Sequence, residues 1–291
     1  MQSIVVKSPA KLNLHLRILR KRPDGYHDLL TIFHRISLYD TIRIKKIRKE
    51  FKLTTNKPGL ETGEGNLITK AYRALQKEYP AIGGVSVRLN KKIPLGAGLG
   101  GGSSNAAHFL LGMKKLFKLK ASQAKLLSIG RKLGADVPFF LLETPQAMAW
   151  GIGEKMKKLS SRAKLWILLL LTDKGLNTKK VYQNLTPPSK PLSLTGEKRV
   201  AIILRSFLDA KKIRRAASLA KNDLGPSAFS LRPSIPKAIN NLKTAGAPFV
   251  LMSGSGPTVF SVFFSRKEAV RAAKKLDAKR IGYQKALCYS I

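Results

Sequence analysis

The stretch Pro94-Leu-Gly-Ala-Gly-Leu-Gly-Gly-Gly-Ser-Ser-Asn-Ala-Ala107 holds five glycines within seven positions, between a strand-like segment and a helix-like one. Glycine has no Cβ, so such a run lets the backbone approach a ligand closely. Ser103, Ser104 and Asn105 are residue types that cap the start of a helix. Because a helix N-terminus presents unpaired N–H groups and the positive end of the helix dipole, we predict a phosphate-binding loop here.

This loop differs from two common phosphate-binding fingerprints. No Gly-Lys-Ser/Thr follows its glycines, which excludes a Walker A loop. The strand and the acidic ribose ligand of a dinucleotide fingerprint are missing from their expected places. A flexible hinge or a tight corner between strand and helix is the alternative, but the flanking proline and the Ser-Ser-Asn cap favour phosphate binding.

Hydrophobic periodicity on both sides of the loop predicts an α+β fold in two halves. In the first half we predict strands over 4–7, 11–19, 29–38, 40–47 and 85–89, and helices over 66–77, 103–117 and 122–133. In the second half we predict strands over 165–171, 249–253, 258–264 and 286–290, and helices over 200–220, 235–245 and 268–276. The second order, β-α-α-β-β-α-β, indicates an antiparallel sheet covered by helices. We place the domain boundary between 1–156 and 157–291.

The composition is that of a globular enzyme with an unusual charge. Hydrophobic residues make up 44% of the chain, which argues against wholesale disorder, but 55 Lys and Arg against 16 Asp and Glu give a net charge of +39. Such a surface attracts nucleic acid, anionic membranes and phosphorylated small molecules. Because the basic residues are spread along the chain, lysine-rich solvated faces are the simpler interpretation. A basic RNA-binding protein remains an alternative, although the aromatic strands of an RNA-recognition module are missing.

Several classes of protein are disfavoured by single features. The one cysteine, Cys288, excludes an intramolecular disulfide and fits a reducing, cytoplasmic location. The longest apolar run, 165–171, is far shorter than the ~20 residues of a membrane helix, and we expect no signal or transit segment. The four histidines lack cysteine or acidic partners at metal-ligand spacing, so we predict no zinc site.

Four segments, in this order, resemble motifs of the GHMP kinase superfamily: Ala10-Lys-Leu-Asn-Leu14, the glycine loop, Gly134-Ala-Asp-Val-Pro138 and Ser253-Gly-Ser-Gly-Pro257. The segment Arg22-Pro-Asp-Gly-Tyr-His-Asp28 is similar to the cytidyl-binding signature of one branch of that superfamily. The resemblance implies a two-domain α+β fold, with an N-terminal mixed β/α domain and a C-terminal ferredoxin-like domain of antiparallel sheet and helices. The departures are Ala97, where a further glycine is common, and the high charge.

The resemblance implies an ATP-dependent kinase that phosphorylates the 2-hydroxyl of a methylerythritol linked to cytidine diphosphate, in the non-mevalonate route to isoprenoid precursors. ATP would be the co-substrate, accompanied by Mg²⁺ without a dedicated protein metal site. No specific nucleic acid or membrane partner is implied, and the protein would be a monomer or a homodimer. A GHMP relative acting on homoserine or mevalonate is the alternative, but those substrates carry no cytosine for the Tyr26-His27 pair.

The resemblance also implies the residues that catalyse the reaction and bind ATP. Asp136 would act as the base for the 2-hydroxyl. Lys11 would keep that carboxylate ionised and stabilise developing negative charge. ATP binding is assigned to Pro94, Leu95, Gly96, Ala97, Gly98, Leu99, Gly100, Gly101, Gly102, Ser103, Ser104, Asn66 and Lys91.

The remaining implied residues bind the second substrate. Asn13 would contact the polyol together with the catalytic aspartate. Tyr26 and Tyr182 would stack on opposite faces of the cytosine, which contributes on the order of 1–3 kcal/mol per base without choosing the base. His27 would supply the hydrogen bonds that choose it, since unpaired buried polar groups penalise a wrong base more strongly.

Overall fold

The structure is a computed structural model of the 291-residue chain, and it describes residues 2–160, 163–171, 175–278 and 283–291. It contains two compact units that are interleaved along the sequence. The long strands β1 (Ser3–Lys21) and β2 (His27–Lys46) each contribute residues to both units. Unit 1 consists of Met1–Ala10, Leu38–Ile93 and Gly100–Glu143, and unit 2 of Lys11–Ser37, Pro94–Leu99 and Thr144–Ile291.

Unit 1 packs helices on a small mixed sheet. The second half of β2 pairs antiparallel with β4, and β4 pairs parallel with β3. Helix α1 packs on α2, and α4 packs on both α2 and α3. Beyond β1 and β2, its elements are β3 (Phe51–Thr55), α1 (Leu67–Glu78), β4 (Val85–Asn90), α2 (Gly101–Leu116), α3 (Gln123–Leu133) and α4 (Val137–Leu141).

The helices of unit 1 begin where the sequence predicts because their caps are local. The side chain of Asn66 accepts a hydrogen bond from the N–H of Ile68 at the start of α1, and Ser122 caps α3 in the same way through Lys125. In α1 the buried residues recur at helical spacing, so one face of the helix is apolar.

Unit 2 contains the antiparallel sheet that the sequence predicts, and its strands lie in the order β10-β7-β9-β8. The first half of β2 also pairs antiparallel with β5, and β5 with β6. The strands are β5 (Gln146–Gly151), β6 (Lys155–Leu159), β7 (Trp166–Leu171), β8 (Val250–Met252), β9 (Val259–Phe263) and β10 (Gln284–Tyr289). The helices are α5 (Thr178–Gln183), α6 (Leu194–Asp209), α7 (Ile213–Leu219), α8 (Gly225–Leu231), α9 (Ser234–Thr244) and α10 (Arg266–Ala278).

The α+β fold is confirmed, and some elements differ from the predictions. The helix predicted over 200–220 is two helices, because Lys211 between α6 and α7 has a left-handed φ of 55°. The β5–β6 hairpin and the short helices α4, α5 and α8 were not predicted. The predicted split between 1–156 and 157–291 is a different division from the interleaved units and stays a prediction. Within the described residues, no helix is long and apolar enough to cross a membrane.

Because His34 is buried, we expect the free energy of unfolding of the protein to fall in mild acid. His34 is 1% exposed on β2, and its Nδ1 accepts a hydrogen bond from Gln146 at 3.1 Å. Burial lowers the pKa of His34 from 6.5 to about 4. Above pH 6.5 the ring is neutral in both states. Between pH 6.5 and 4 only the unfolded chain binds the proton, so the free energy of unfolding falls by up to about 3 kcal/mol.

Urea unfolding at pH 7 and at pH 4.5 measures this effect, with His34→Gln as the control that removes the titrating group. We expect the variant to lose less stability than the wild type between the two pH values. Equal losses in both proteins would contradict the assignment to His34.

Candidate active site

The predicted phosphate loop runs directly into the first turn of α2. Gly96, Gly98 and Gly100 all adopt positive φ, between 60° and 73°. The loop therefore alternates left-handed residues with ordinary ones. At its end Gly100 is the N-cap of α2 without a side-chain cap, and the N–H groups of 101–103 have no carbonyl partner within the helix. This backbone can bind an anion such as a phosphate group.

Gly98 is the tightest position in the loop. Its carbonyl accepts a hydrogen bond from the Ser253 hydroxyl at 3.0 Å. A Cβ at this position would lie 2.1 Å from the carbonyl oxygen of Ser253. The turn 253–257 therefore lies against the loop within unit 2, and only glycine fits at the contact.

Lys11 and Asn13 lie side by side on β1, and both are almost fully buried. The ammonium of Lys11 donates to Oδ1 of Asn13 at 2.6 Å, and the amide of Asn13 donates to the hydroxyl of Thr31 at 2.8 Å. The backbone N–H of Lys11 donates to the carbonyl of Leu99 in the loop at 3.0 Å. A Cβ at Gly254 would lie 3.4 Å from the Lys11 ammonium. Within unit 2, strand β1, the loop and the turn 253–257 therefore meet around Lys11.

Asp136 belongs to unit 1, at the junction of α3 and α4. It is half-buried and occupies the N-cap position of α4, but its side chain does not cap that helix. A Cβ at Gly134 would lie 3.9 Å from the hydroxyl of Ser103 in the first turn of α2. The segment that carries Asp136 therefore lies beside the N-terminus of α2, the end of the helix that is predicted to bind phosphate.

Two residues assigned to ATP have structural partners in unit 1. Asn66 caps α1, and its amide donates to the carbonyl of Glu61 at 2.6 Å. The ammonium of Lys91 donates to Oδ2 of Asp40 at 2.5 Å and to Oδ1 of Asn105 at 3.1 Å. Their contact with ATP stays a prediction, and both side chains are held in place without it.

The residues assigned to cytosine lie in unit 2. Tyr26, at the end of a turn, is 61% exposed, which leaves its ring open to a stacking partner. The ring of His27, at the start of β2, lies 5.6 Å from the ring of Tyr182 on α5, with the two planes inclined by 37°. Burial, and to a smaller extent the charge of Lys21, lower the pKa of His27. At neutral pH its ring is therefore neutral, with one nitrogen that donates and one that accepts.

Two further residues form more contacts than the sequence suggested. Asp40, which the sequence did not single out, is 0% exposed and binds four donors. Buried and more exposed residues alternate along this part of β2, which places Asp40 on the buried face with Ile42 and Ile44. This alternation is the sequence pattern that could have indicated a buried carboxylate. Asn222, to which no catalytic role was assigned, donates to the carbonyls of Met252 and Gly254 at 2.7 and 2.8 Å. It thereby holds the turn 253–257.

Comparisons with known proteins identify related kinases. The sequence model of the GHMP kinases N terminal domain matches residues 66–144, and that of the GHMP kinases C terminal domain matches 203–281. The chain is 40% identical to the 4-diphosphocytidyl-2-C-methyl-D-erythritol kinase of Syntrophus aciditrophicus (strain SB), over 92% of each chain. It is 39% identical, over 96% of each chain, to the protein of the same name from Citrifermentans bemidjiense.

A solved structure gives the same result. The crystal structure of a 4-(cytidine 5'-diphospho)-2C-methyl-D-erythritol kinase superposes with a TM-score of 0.82 and 32% identity, covering 98% of both chains. The glycine loop, the antiparallel sheet and the two matching domains define the class of protein, a GHMP kinase. Within that class, the chain belongs to the 4-diphosphocytidyl-2-C-methyl-D-erythritol kinase family.

Proposed function

We propose that this kinase transfers the γ-phosphoryl group of ATP to the 2-hydroxyl of 4-diphosphocytidyl-2-C-methyl-D-erythritol, giving the 2-phosphate and ADP. The observation that carries the choice of substrate is the pair of His27 and Tyr182 rings, 5.6 Å apart, beside the exposed Tyr26. The partners of the kinase in this proposal are two small molecules, ATP and the cytidine diphosphate substrate, and its proposed location is the cytoplasm. A monomer or a homodimer can perform the reaction, which involves no nucleic acid or membrane.

Stacking and hydrogen bonding contribute differently to the recognition of the cytidyl group. Tyr26 and Tyr182 provide the aromatic faces, which hold any base. His27 provides one donor and one acceptor to the edge of the base, because its lowered pKa keeps the ring neutral. Cytosine and uracil exchange donor and acceptor at that edge, so a fixed His27 favours one of them.

The phosphates of ATP bind the backbone of the glycine loop and the N-terminus of α2. The side chains of Pro94, Leu95, Ala97 and Leu99 shape the loop, and its glycines bring the N–H groups close to the phosphate oxygens. Of the two serines that follow, Ser104 is 0% exposed and its hydroxyl bonds Ser8. Ser103 is half-buried and is the serine assigned to the phosphate. Asn66 and Lys91 form the adenosine side of the site.

Mg²⁺ fits this set of donors if ATP supplies most of its ligands. Among the described residues, no group of three or more histidines, cysteines or carboxylates could hold a metal ion. Mg²⁺ commonly keeps several waters and binds through substrate phosphates, with one or two protein groups. The hydroxyl of Ser103 would be the protein group suited to it. When bound, the ion neutralises phosphate charge.

Asp136 and Lys11 have separate roles in the transfer of the phosphoryl group. The carboxylate of Asp136 takes the proton of the 2-hydroxyl group. At the same time, the oxygen of that hydroxyl bonds to the γ-phosphorus of ATP, and the bond between the γ-phosphorus and the oxygen of the β-phosphate breaks. The ammonium of Lys11, which donates to Asn13 at 2.6 Å, is assigned the stabilisation of the developing oxyanion. Asn13 positions the polyol.

The test is ATP-dependent turnover of 4-diphosphocytidyl-2-C-methyl-D-erythritol and of its uridine counterpart, followed by ADP release with Mg²⁺ present. We expect kcat/KM to favour the cytidine compound by about 10²-fold or more, because a wrong base leaves buried polar groups unpaired. In His27→Phe the ratio of kcat/KM for the cytidine compound to that for the uridine compound should fall towards one, although the bases of both compounds can still stack on the tyrosines. Folded wild type without turnover of the cytidine compound would contradict the proposed function, and equal turnover of both compounds would contradict base recognition.

A further inference from the structure

The carboxylate of Asp40 accepts four hydrogen bonds from residues that precede or follow the glycine loop in the sequence. Its Oδ1 accepts the backbone N–H groups of Lys92 at 2.7 Å and Ile93 at 2.8 Å. Its Oδ2 accepts the ammonium of Lys91 at 2.5 Å and the amide of Asn105 at 2.9 Å. All five residues belong to unit 1.

These four donors come from both ends of the loop. Residues 92 and 93 immediately precede the loop segment 94–99, and Asn105 lies in the second turn of α2, just after it. A single carboxylate therefore fixes the separation between the point where the chain enters the loop and the point where it leaves. The separation matters because the N–H groups that bind phosphate lie between those two points.

Gly101 shows how closely the helix rests on this group. A Cβ at Gly101 would lie 3.1 Å from the Lys91 ammonium and 2.9 Å from the side chain of Ile93. The first turn of α2 therefore lies directly on the Asp40–Lys91 pair, and a glycine is needed there for the approach. This is a second contact between the pair and the exit of the loop, independent of the hydrogen bond from Asn105.

The same group extends to the serines of the helix. The amide of Asn105 also donates to the hydroxyl of Ser8 on β1 at 2.9 Å, and that hydroxyl donates to Ser104 at 2.8 Å. Ser104 in turn lies 3.3 Å from Nδ1 of His108 one turn along α2. The chain of bonds thus orients the residues that follow the phosphate-binding turn.

A buried ion pair contributes little net free energy to the stability of a fold, because the cost of desolvating two charges offsets most of their attraction. Asp40 is 0% exposed and the side chain of Lys91 is 3% exposed. The use of such a pair at this point of the fold indicates a geometric role. Every acceptor position of Asp40 is directed at a residue that flanks the loop, which an apolar replacement would not reproduce.

We infer that Asp40 is a positioning residue for ATP, and that with Lys91 and Asn105 it clamps both ends of the phosphate loop. The inference rests on the proposed function only for the identity of the nucleotide. Lys91 acts on the adenosine side through this clamp, since its ammonium is bound by Asp40 and Asn105. None of the three residues of the clamp is assigned to the second substrate, so its loss should affect the two substrates differently.

Asp40→Asn tests the clamp, because the amide can still accept from Lys92 and Ile93 but presents donors to Lys91 and Asn105. We expect KM for ATP to rise about 10- to 10²-fold, as misplaced binding groups produce, with KM for the cytidine substrate within about twofold. Leu126→Ala, which removes a fully buried side chain of α3 in the same unit, is the control for lost stability. The control should leave KM for ATP unchanged.

Hydrogen exchange in the ligand-free protein gives a readout that does not depend on activity. In Asp40→Asn the amides of 94–105 should exchange faster, whereas those of α1 should not. If wild type does not bind ATP, the proposed function fails, and this exchange still decides the clamp. Should Asp40→Asn not fold, Asn105→Ala removes only the exit contact and should raise KM for ATP in the same direction. Unchanged KM for ATP and unchanged exchange in a folded variant would overturn the inference.

Discussion

Asp136→Asn is expected to lower kcat by about 10²- to 10⁴-fold, the usual contribution of a general base. Asparagine has the same shape as aspartate but cannot take the proton of the 2-hydroxyl. The fold should tolerate this isosteric change at a half-buried position. KM for ATP should change little, since the glycine loop binds the phosphates. A loss in kcat that appears equally in kcat/KM indicates an interaction made only in the transition state.

Steady-state kinetics of the purified, folded variant measures this effect. Asp209→Asn is the matched control, since Asp209 forms an ion pair with Arg205 on α6 at 3.2 Å and has no part in the proposed chemistry. The control should keep the wild-type kcat. An Asp136→Asn enzyme with more than about a tenth of the wild-type kcat would exclude Asp136 as the base, and the reaction would then depend on positioning and charge alone.

The parts of the site that the sequence predicts are those with local causes. The phosphate loop needs glycines next to a capped helix, and both features lie within residues 94–107. The caps at Asn66 and Ser122 bond N–H groups two or three residues further on, so they are visible in the sequence. The family motifs around Lys11 and Asp136 are likewise short runs.

Asp40 shows why the rest could not be predicted. The alternating pattern of β2 puts it on the buried face beside Ile42 and Ile44, and a buried carboxylate needs partners. Its partners on Lys91 and Asn105 lie 51 and 65 positions further along the chain. No periodic pattern indicates which distant residues a carboxylate meets, because that depends on how strands and helices pack.

The second half of the chain illustrates the limit for secondary structure. The hydrophobic pattern over 200–220 is that of one helix, and it continues across the break. The break depends on one left-handed residue, Lys211, whose type gives no warning because lysine seldom adopts that conformation. Short helices such as α5 contain too few turns for a period to be recognised, although α5 carries Tyr182 to the ring of His27.

Gly98→Ala is expected to destabilise the protein by about 3 kcal/mol and to prevent binding of ATP at ordinary concentrations. A left-handed φ of 73° costs an alanine roughly 1–2 kcal/mol. Its Cβ would also lie 2.1 Å from the carbonyl oxygen of Ser253 and close to the backbone of Gly256, and relieving such overpacking typically costs about 1–3 kcal/mol. Both neighbours are backbone, so no change of rotamer removes the clash.

Urea unfolding and nucleotide binding of Gly98→Ala should be compared with those of Gly102→Ala. At Gly102 a Cβ would meet only the side chain of Leu67, at 3.6 Å, in the first turn of a helix. Alanine there should leave stability unchanged or raise it by up to about 1 kcal/mol. Each variant adds one methyl group to the glycine-rich run, and they differ in that Gly98 has a left-handed backbone and the contact with Ser253, whereas Gly102 lies in the first turn of α2. Equal stability of the two variants would show that the turn 253–257 does not constrain the loop, and the geometry assigned to the phosphate site would have to change.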